Sequence, residues 1–483
     1  MKETYQRLSK VLVGAIVVIA TGASSASDII EQNVLKRIAV KGESPPAVTL
    51  QQRMQDFNVP GLSIAVVQQG EIVWAKGYGI ANAETQNKVT TDTLFQAGSI
   101  SKPVAALAAL KLVEQGKLEL DSDVNDYLKS WQVSGPAYSS DNPVTLRHLL
   151  THTGGLSVHG FPGYDTGAEI PSTLGVLNGE GNTDAVVAYQ TPGENWRYSG
   201  GGYTVMQLLV EEATSQSFAG YTDANILKPM DMSLSTYEHA LPPTLAKLAS
   251  GAFDQQGEMY EVVYNDYPEK AAAGLWTTPT DIAKYVIHMQ SIVQGDKNGI
   301  LQKPIVDAMF TRHQNDWGLG PEMLEINDNL IFGHGGKNLG FTNYFRASVN
   351  NGNAIIVMSN ADNANVLNRE VMTTLSLHYG FDLAEQMIIE PVVLSDDALK
   401  RFEGNYKMLT DIGYDGDYIA SIALKEGNLF VKAPNEDTPS RIVPTDELHF
   451  TSLESGNPFV FSIDDSGNIT GLKVAGRFEL SKL

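Results

Sequence analysis

The chain has no cysteine among its 483 residues. That removes disulfides, thiol nucleophiles, thiolate metal ligands and a lipid-bearing cysteine from consideration. Basic residues are scarce: 34 Lys and Arg stand against 56 Asp and Glu, a formal charge of −22. This balance works against binding nucleic acid or an anionic membrane surface, both of which require a cationic face. Long apolar runs are also missing, apart from Val11–Ala23, which is too short to span a bilayer comfortably. There is no internal repeat and no low-complexity tract. The hydrophobic share of 42% is that of an ordinary globular protein.

The first stretch with a clear reading is the N-terminus. Lys2, Arg7 and Lys10 precede the apolar run, and Ser24-Ser25-Ala26 offers small residues for cleavage before Ser27. Residues 1–26 therefore read as a secretory signal peptide, with an uncleaved anchor as the alternative. The expected location is periplasmic or secreted, without stable membrane insertion once the signal is removed. The segment carries a net +2 (Lys2, Arg7 and Lys10 against Glu3), so the remainder would carry −24.

Residues 27–390 read as one domain and 391–483 as a second, joined through Pro391–Asp397. In the first, Val48–Asn58 predicts a helix, and Leu62–Val67 with Ile72–Lys76 predicts a pair of strands. Helices follow at Tyr203–Ala213, Thr280–Ile292 and Val366–Tyr379, with a hairpin of Phe341–Ser348 and Ala354–Ser359 between the last two. The glycine-rich segment 157–183 and the aromatic, acidic segment 251–270 are expected to form two walls of a cleft. Beyond 397 only short alternating runs occur. Tyr418–Leu424 turns into Leu429–Lys432, and Phe459–Ile463 turns into Ile469–Val474, which predicts a small antiparallel sheet or barrel.

The chemistry centres on Ser99-Ile-Ser-Lys102, which opens an almost wholly apolar helix ended by Gly116. Residues three apart on a helical turn share a face. A serine hydroxyl needs a neighbour to take its proton, and a lysine in a dry pocket can do so because burial disfavours its charged form. The free N–H of Ser99 at the helix start can help hold an oxyanion. Two further stretches supply polar groups. Tyr198 precedes the run Gly200-Gly201-Gly202, and His334 lies in Gly333-His334-Gly335-Gly336-Lys337, where it offers a hydrogen bond or a proton near neutral pH. His148 and His152 have the i, i+4 spacing of metal ligands, but no acidic partner completes a metal motif. Neither a metal nor a cofactor is expected.

Taken together, these stretches resemble the penicillin-binding-protein and β-lactamase superfamily, in particular its class C-like branch of D-aminopeptidases, D-Ala-D-Ala carboxypeptidases and esterases. Ser99 and Lys102 match its Ser-x-x-Lys motif, Tyr198 the start of Tyr-x-Asn, and His334 with Gly336 its His-x-Gly. Leu149-Leu-Thr-His-Thr-Gly-Gly155 and Ala273-Gly-Leu-Trp-Thr-Thr-Pro-Thr-Asp281 also look like family hallmarks. The resemblance covers roughly Leu50 to Tyr379. It implies an α/β fold of α+β type: an antiparallel sheet flanked by helices, with an all-helical subdomain. The C-terminal strands look similar to the lipocalin-like domain appended to some relatives.

By this resemblance Ser99 forms an acyl-enzyme, Lys102 and Tyr198 share the proton, and the amides of Ser99 and Lys337 hold the oxyanion. Gly200, Gly335 and Gly336 fall at substrate-binding positions. Which of Lys102 and Tyr198 takes the first proton stays open. Gly200 replaces the asparagine of Tyr-x-Asn, and Gly335 replaces a hydroxyl that meets a substrate carboxylate, so β-lactams rank below other substrates. The expected partner is a small peptide, amide or ester, with D-residue peptides first and carboxylic esters second; the oligomeric state is left open. The non-enzyme alternative is a penicillin-binding sensor that is acylated without turnover.

Overall fold

In a computed structural model of the chain, residues 26–410, 417–434 and 439–483 are described. The signal-peptide reading rests on residues that, except for Ala26, lie outside these. Among the described residues, no helix is long and apolar enough to cross a membrane.

The central sheet has six antiparallel strands: β1 (Gly61–Gln68), β2 (Glu71–Gly79), β3 (Glu322–Ile326), β4 (Asn329–Asn338), β5 (Phe341–Ser348) and β6 (Ala354–Ser359), in the order β2-β1-β6-β5-β4-β3. Every residue of β6 is buried, because helices cover both sides of the sheet. On one face Ala65, Phe345, Ile356 and Met358 pack against the large core of α1 (Ser101–Glu114), α2 (Gly200–Thr214) and α3 (Pro279–Val293). On the other, Ile64, Val66, Ile355 and Val357 pack against Leu367, Val371 and Leu375 of α4 (Asn365–Tyr379). A strand buried on both faces reads as an unbroken apolar run, as Ala354–Met358 does.

α1 is buried on nearly every side, which is why its sequence lacks a polar face. Gly116 takes φ +69° just past its end, the left-handed conformation that closes a helix. The cap of α3 is Thr278, whose side chain accepts from Asp281 N–H, two residues earlier than the Thr280-Asp281 start suggested by the pattern.

Residues 404–482 close into an eight-stranded antiparallel barrel: β7 (Gly404–Met408), β8 (Ile419–Lys425), β9 (Asn428–Lys432), β10 (Ser440–Pro444), β11 (His449–Ser452), β12 (Pro458–Ile463), β13 (Ile469–Val474) and β14 (Phe478–Lys482). Closure removes the open edges that a small sheet would expose. The barrel has its own core and docks on the N-terminal lead-in. Arg441 makes a two-pronged ion pair with Glu43 at 2.8 Å, and Arg37 donates to the Ser455 carbonyl at 2.9 Å. A short strand, Met387–Ile389, pairs in parallel with Ile38–Val40 just before the barrel begins.

Candidate active site

Ser99 sits in a single 3-10 turn, Gly98–Ile100, that runs directly into α1. Two glycines allow the backbone of this turn to press against β4. Gly98 has φ +55°, and a Cβ there would lie 2.5 Å from the Lys337 nitrogen; a Cβ on Gly336 would lie 1.9 Å from the Ala97 carbonyl oxygen. Only glycine permits so close an approach. It brings the amide of Ser99, at a helix start, beside the amides of the His334–Lys337 segment. β3 pairs with β4 only through Gly333, so that segment of β4 has no neighbouring strand on its cleft side.

Lys102 Nζ lies 3.0 Å from Ser99 Oγ and 2.8 Å from the Ala272 carbonyl. It is buried, and no carboxylate pairs with it. Desolvation alone pulls the ammonium down to about 7. The amine donates to the Ala272 carbonyl and lies within hydrogen-bond reach of the serine hydroxyl. The Ala272 carbonyl belongs to the turn just before the Ala273–Asp281 stretch, and Leu275 N–H donates to Ser101 Oγ at 3.0 Å, so this stretch braces the catalytic turn.

Tyr198 precedes Ser199, the N-cap of α2, whose hydroxyl accepts from Gly202 N–H and donates to the Ser157 carbonyl. Lys102 Nζ lies 4.8 Å from the centroid of the Tyr198 ring. The phenol is buried and makes no hydrogen bond to another described residue. Burial drives its pKa well up, with Ser99 the one neighbour that favours ionisation. The ring is held by others: His152 packs on it at 4.2 Å, and Trp317 meets it edge-on at 5.8 Å.

His334 lies on β4, its ring 6.1 Å from that of Tyr198. Its Nδ1 donates to the Gly335 carbonyl at 2.5 Å, which leaves Nε2 as a bare acceptor. Burial and the nearby Lys102 lower its pKa to about 3. The imidazole is therefore uncharged near neutral pH, which favours hydrogen bonding, one of the two roles expected of it, over carrying a proton. The Lys337 ammonium is engaged by Asp362, through both carboxylate and carbonyl, and by Thr342 Oγ1. Only its backbone faces the serine.

Ser99, Tyr198, His334, Gly335, Gly336 and Lys337 line one cleft of about 730 Å³, with Lys102 buried behind Ser99. Gly200 is a correction. It starts α2, away from the cleft, and a Cβ there would meet Phe161 at 2.7 Å. The glycine run is the first turn of a helix packed tightly on 157–161, so Gly200 is not at a substrate-binding position. The segment 251–270 is a second correction, since none of its residues lines the cleft. Tyr264 instead packs edge-on against Trp276 at 4.7 Å, and Tyr260 donates to Asp362 at 2.6 Å. Of 157–183, His159 alone reaches the cleft. Further wall residues include Trp196, Arg197, Trp317, Glu322, Tyr344 and Arg369, none of which sequence reasoning singled out. An isolated tryptophan among glycines, as in Trp317-Gly-Leu-Gly320, was the available signal. The two candidate metal histidines do other work: His148 Nδ1 accepts from Thr145 N–H, and His152 Nδ1 accepts from Ser199 N–H.

A serine activated by a buried lysine, beside a clamped phenol and two facing amides, defines a class: serine hydrolases that work through an acyl-enzyme. The chain belongs to the beta-lactamase family, whose profile, described as Beta-lactamase, matches residues 47–374. Esterase EstB of Burkholderia gladioli is 31% identical over 207 residues, 40% of this chain and 51% of that protein. Protein flp of Staphylococcus aureus (strain N315) is 26% identical over 239 residues, 48% of this chain and 44% of that protein. The chain thus spans about half the length of the curated relatives it matches. Among solved structures, the octameric penicillin-binding protein homologue from Pyrococcus abyssi aligns with TM-score 0.61 at 22% identity, over 90% of this chain and 98% of that one. SurE with D-Leu aligns with TM-score 0.54 at 19% identity, over 90% and 97%. At these identities the likeness is one of fold.

Proposed function

We propose that the chain is an exported hydrolase of carboxylic esters and amides, in which Ser99 is acylated and water releases the acyl group. The observation that carries the reading is the 3.0 Å contact between Ser99 Oγ and a buried Lys102. The shift of that lysine to about 7 supports it as the first base. Taking the serine proton restores charge to Lys102 just as negative charge develops on the oxyanion between the Ser99 and Lys337 amides. Tyr198, whose phenol strongly retains its proton, suits the opposite task of delivering a proton to the leaving group. His334 accepts hydrogen bonds from the substrate along the open edge of β4.

Esters now come ahead of D-residue peptides. The esterase relative supports this order, as does a cleft walled by Trp196, Trp317 and Tyr344. An alkoxide also leaves with less help than an amine. β-Lactams stay third, since Gly335, which lines the cleft, offers no side-chain donor. The test is a panel of p-nitrophenyl esters, D-amino-acid anilides and nitrocefin, run with wild type and Ser99→Ala. The expected ranking is ester, then anilide, then nitrocefin, with every activity lost in Ser99→Ala. Full activity in Ser99→Ala would remove the nucleophile, and nitrocefin as the fastest substrate would reverse the ranking. A single stable label with no turnover of any substrate would favour the sensor reading.

A further inference from the structure

The chain is strongly acidic, yet three arginines gather around one tyrosine at an end of the Ser99 cleft. Tyr344 and Arg369 both line that cleft. The guanidinium carbons of Arg346, on β5, and Arg369, on α4, lie 5.3 and 5.6 Å from the centroid of the Tyr344 ring. Arg37, from the lead-in, stands near both: burial, then the charges of Arg369 and Arg346, hold its guanidinium below the usual range. Arg37 precedes residues 47–374, which the family profile matches.

The three are poorly satisfied. Arg37 donates to the Ser455 carbonyl and Arg346 to the Leu383 carbonyl, at 2.9 and 2.8 Å. The Nε atoms of Arg346 and Arg369 are buried without a partner among the described residues. The acids nearby do not neutralise them. Glu370 is taken by Arg53 in a two-pronged pair at 2.8 and 2.9 Å. Glu322 feels the charges of Arg346 and Arg369, but burial dominates and raises its pKa. Like charges brought together out of water are costly without a counter-ion, and a buried unpaired N–H calls for an acceptor. Guanidinium forks match the oxygens of a phosphate.

Register places the cluster relative to the chemistry. Tyr344 lies opposite Gly335 and Arg346 opposite Gly333, two and four residues from Lys337, or about 7 and 13 Å of extended strand. A group reaching the arginines is therefore remote from the carbonyl held at the Lys337 amide. Three guanidiniums against the Glu322 carboxylate leave two positive charges, which a phosphate monoester balances near pH 7 and a carboxylate does not. We propose that this end of the cleft binds a phosphate-type dianion carried by the substrate, several bonds away from the carbonyl that Ser99 attacks. The assignment rests on the hydrolase reading of the Ser99 cleft and narrows its substrate class.

The test is calorimetry on the full chain carrying Ser99→Ala, so that binding is read apart from hydrolysis. Hexyl phosphate is expected to bind at one site, at least about tenfold tighter than hexanoate or inorganic phosphate. Adding Arg37→Gln or Arg369→Gln should each weaken it at least about fivefold. If Arg37→Gln disturbs the barrel contact and fails to fold, Arg369→Gln decides. With wild type, hexyl phosphate should inhibit p-nitrophenyl butyrate hydrolysis competitively. Absence of saturable binding, or unchanged affinity in the folded variants, overturns the site. Hexanoate binding as tightly overturns the dianion, and inorganic phosphate binding as tightly, or inhibition that is not competitive, overturns the link to the substrate. Binding by Ser99→Ala while wild type hydrolyses no ester would sink the hydrolase reading and leave the anion site standing.

Discussion

Lys102 is the residue on which chemistry and stability pull in opposite directions. Holding its pKa near 7 instead of 10.5 costs the folded state about 5 kcal/mol at low pH. The sign follows from proton binding. Between about pH 7 and 10.5 the unfolded chain binds the proton and the folded chain does not, so stability rises with pH across that window and the cost is complete below it. Lys102→Met is therefore expected to be inactive yet more stable than wild type. The gain in unfolding free energy should be several kcal/mol near pH 6 and should shrink toward pH 10. Denaturant melts at the two pH values check it; a variant less stable at both would mean that the ammonium is solvated in the wild type. At this scale the sequence made part of the site readable. Ser99, Lys102, Tyr198 and His334 stand in recognisable local contexts, and all four meet in space. Trp317 and His152 were not readable in the same way, because each acts by packing on Tyr198 from a distant part of the chain. His152 also adopts φ +59°, a backbone state that its residue type does not announce.

Among the elements, the joint between the Ser99 turn and β4 carries the geometry. Gly336→Ala would place a methyl group against the Ala97 carbonyl oxygen, where a Cβ would sit only 1.9 Å away. One of the two backbones must retreat, and the two oxyanion amides must separate. The expected result is a destabilisation of about 1–3 kcal/mol with a disproportionate fall in kcat, about 100-fold, because positioning is lost. Steady-state kinetics on a p-nitrophenyl ester, alongside a thermal melt, check both parts. Most strands and long helices were legible from period and turn signals: β1, β2, the β5–β6 hairpin, α3 and α4 fall within a few residues of their patterns. The start of α2 was not. The predicted helix began only at Tyr203, because glycine is a poor helix former; here the three glycines form its first turn, where any Cβ at Gly200 or Gly201 would strike Phe161, Val186 or the Ser157 carbonyl. The 251–270 aromatics misled for a related reason, since composition cannot say which way a side chain points.

The whole molecule combines two structures with separate cores, and its tryptophans report on only one. Trp74, Trp131, Trp196, Trp276 and Trp317 all precede the barrel. In a urea titration, tryptophan emission and ester hydrolysis should be lost together, while far-ultraviolet circular dichroism, which also sees the eight barrel strands, should show a second, displaced transition. Coincidence of all three curves would instead mean that barrel and sheet unfold as one unit. A small sheet or barrel was expected from the short alternating runs, but closure depends on the pairing of the first and last strands, β7 and β14. Strand pattern alone does not reveal that. The account as a whole rests on an uncharged amine beside Ser99, and the most direct measurement is the rate at which a fluorophosphonate labels that serine as pH is varied between about 5 and 9. The rate is predicted to climb along a single limb with its midpoint near 7, and Lys102→Met should be labelled very slowly at every pH. A rate that is flat across the range, or one that Lys102→Met leaves unchanged, would contradict the account.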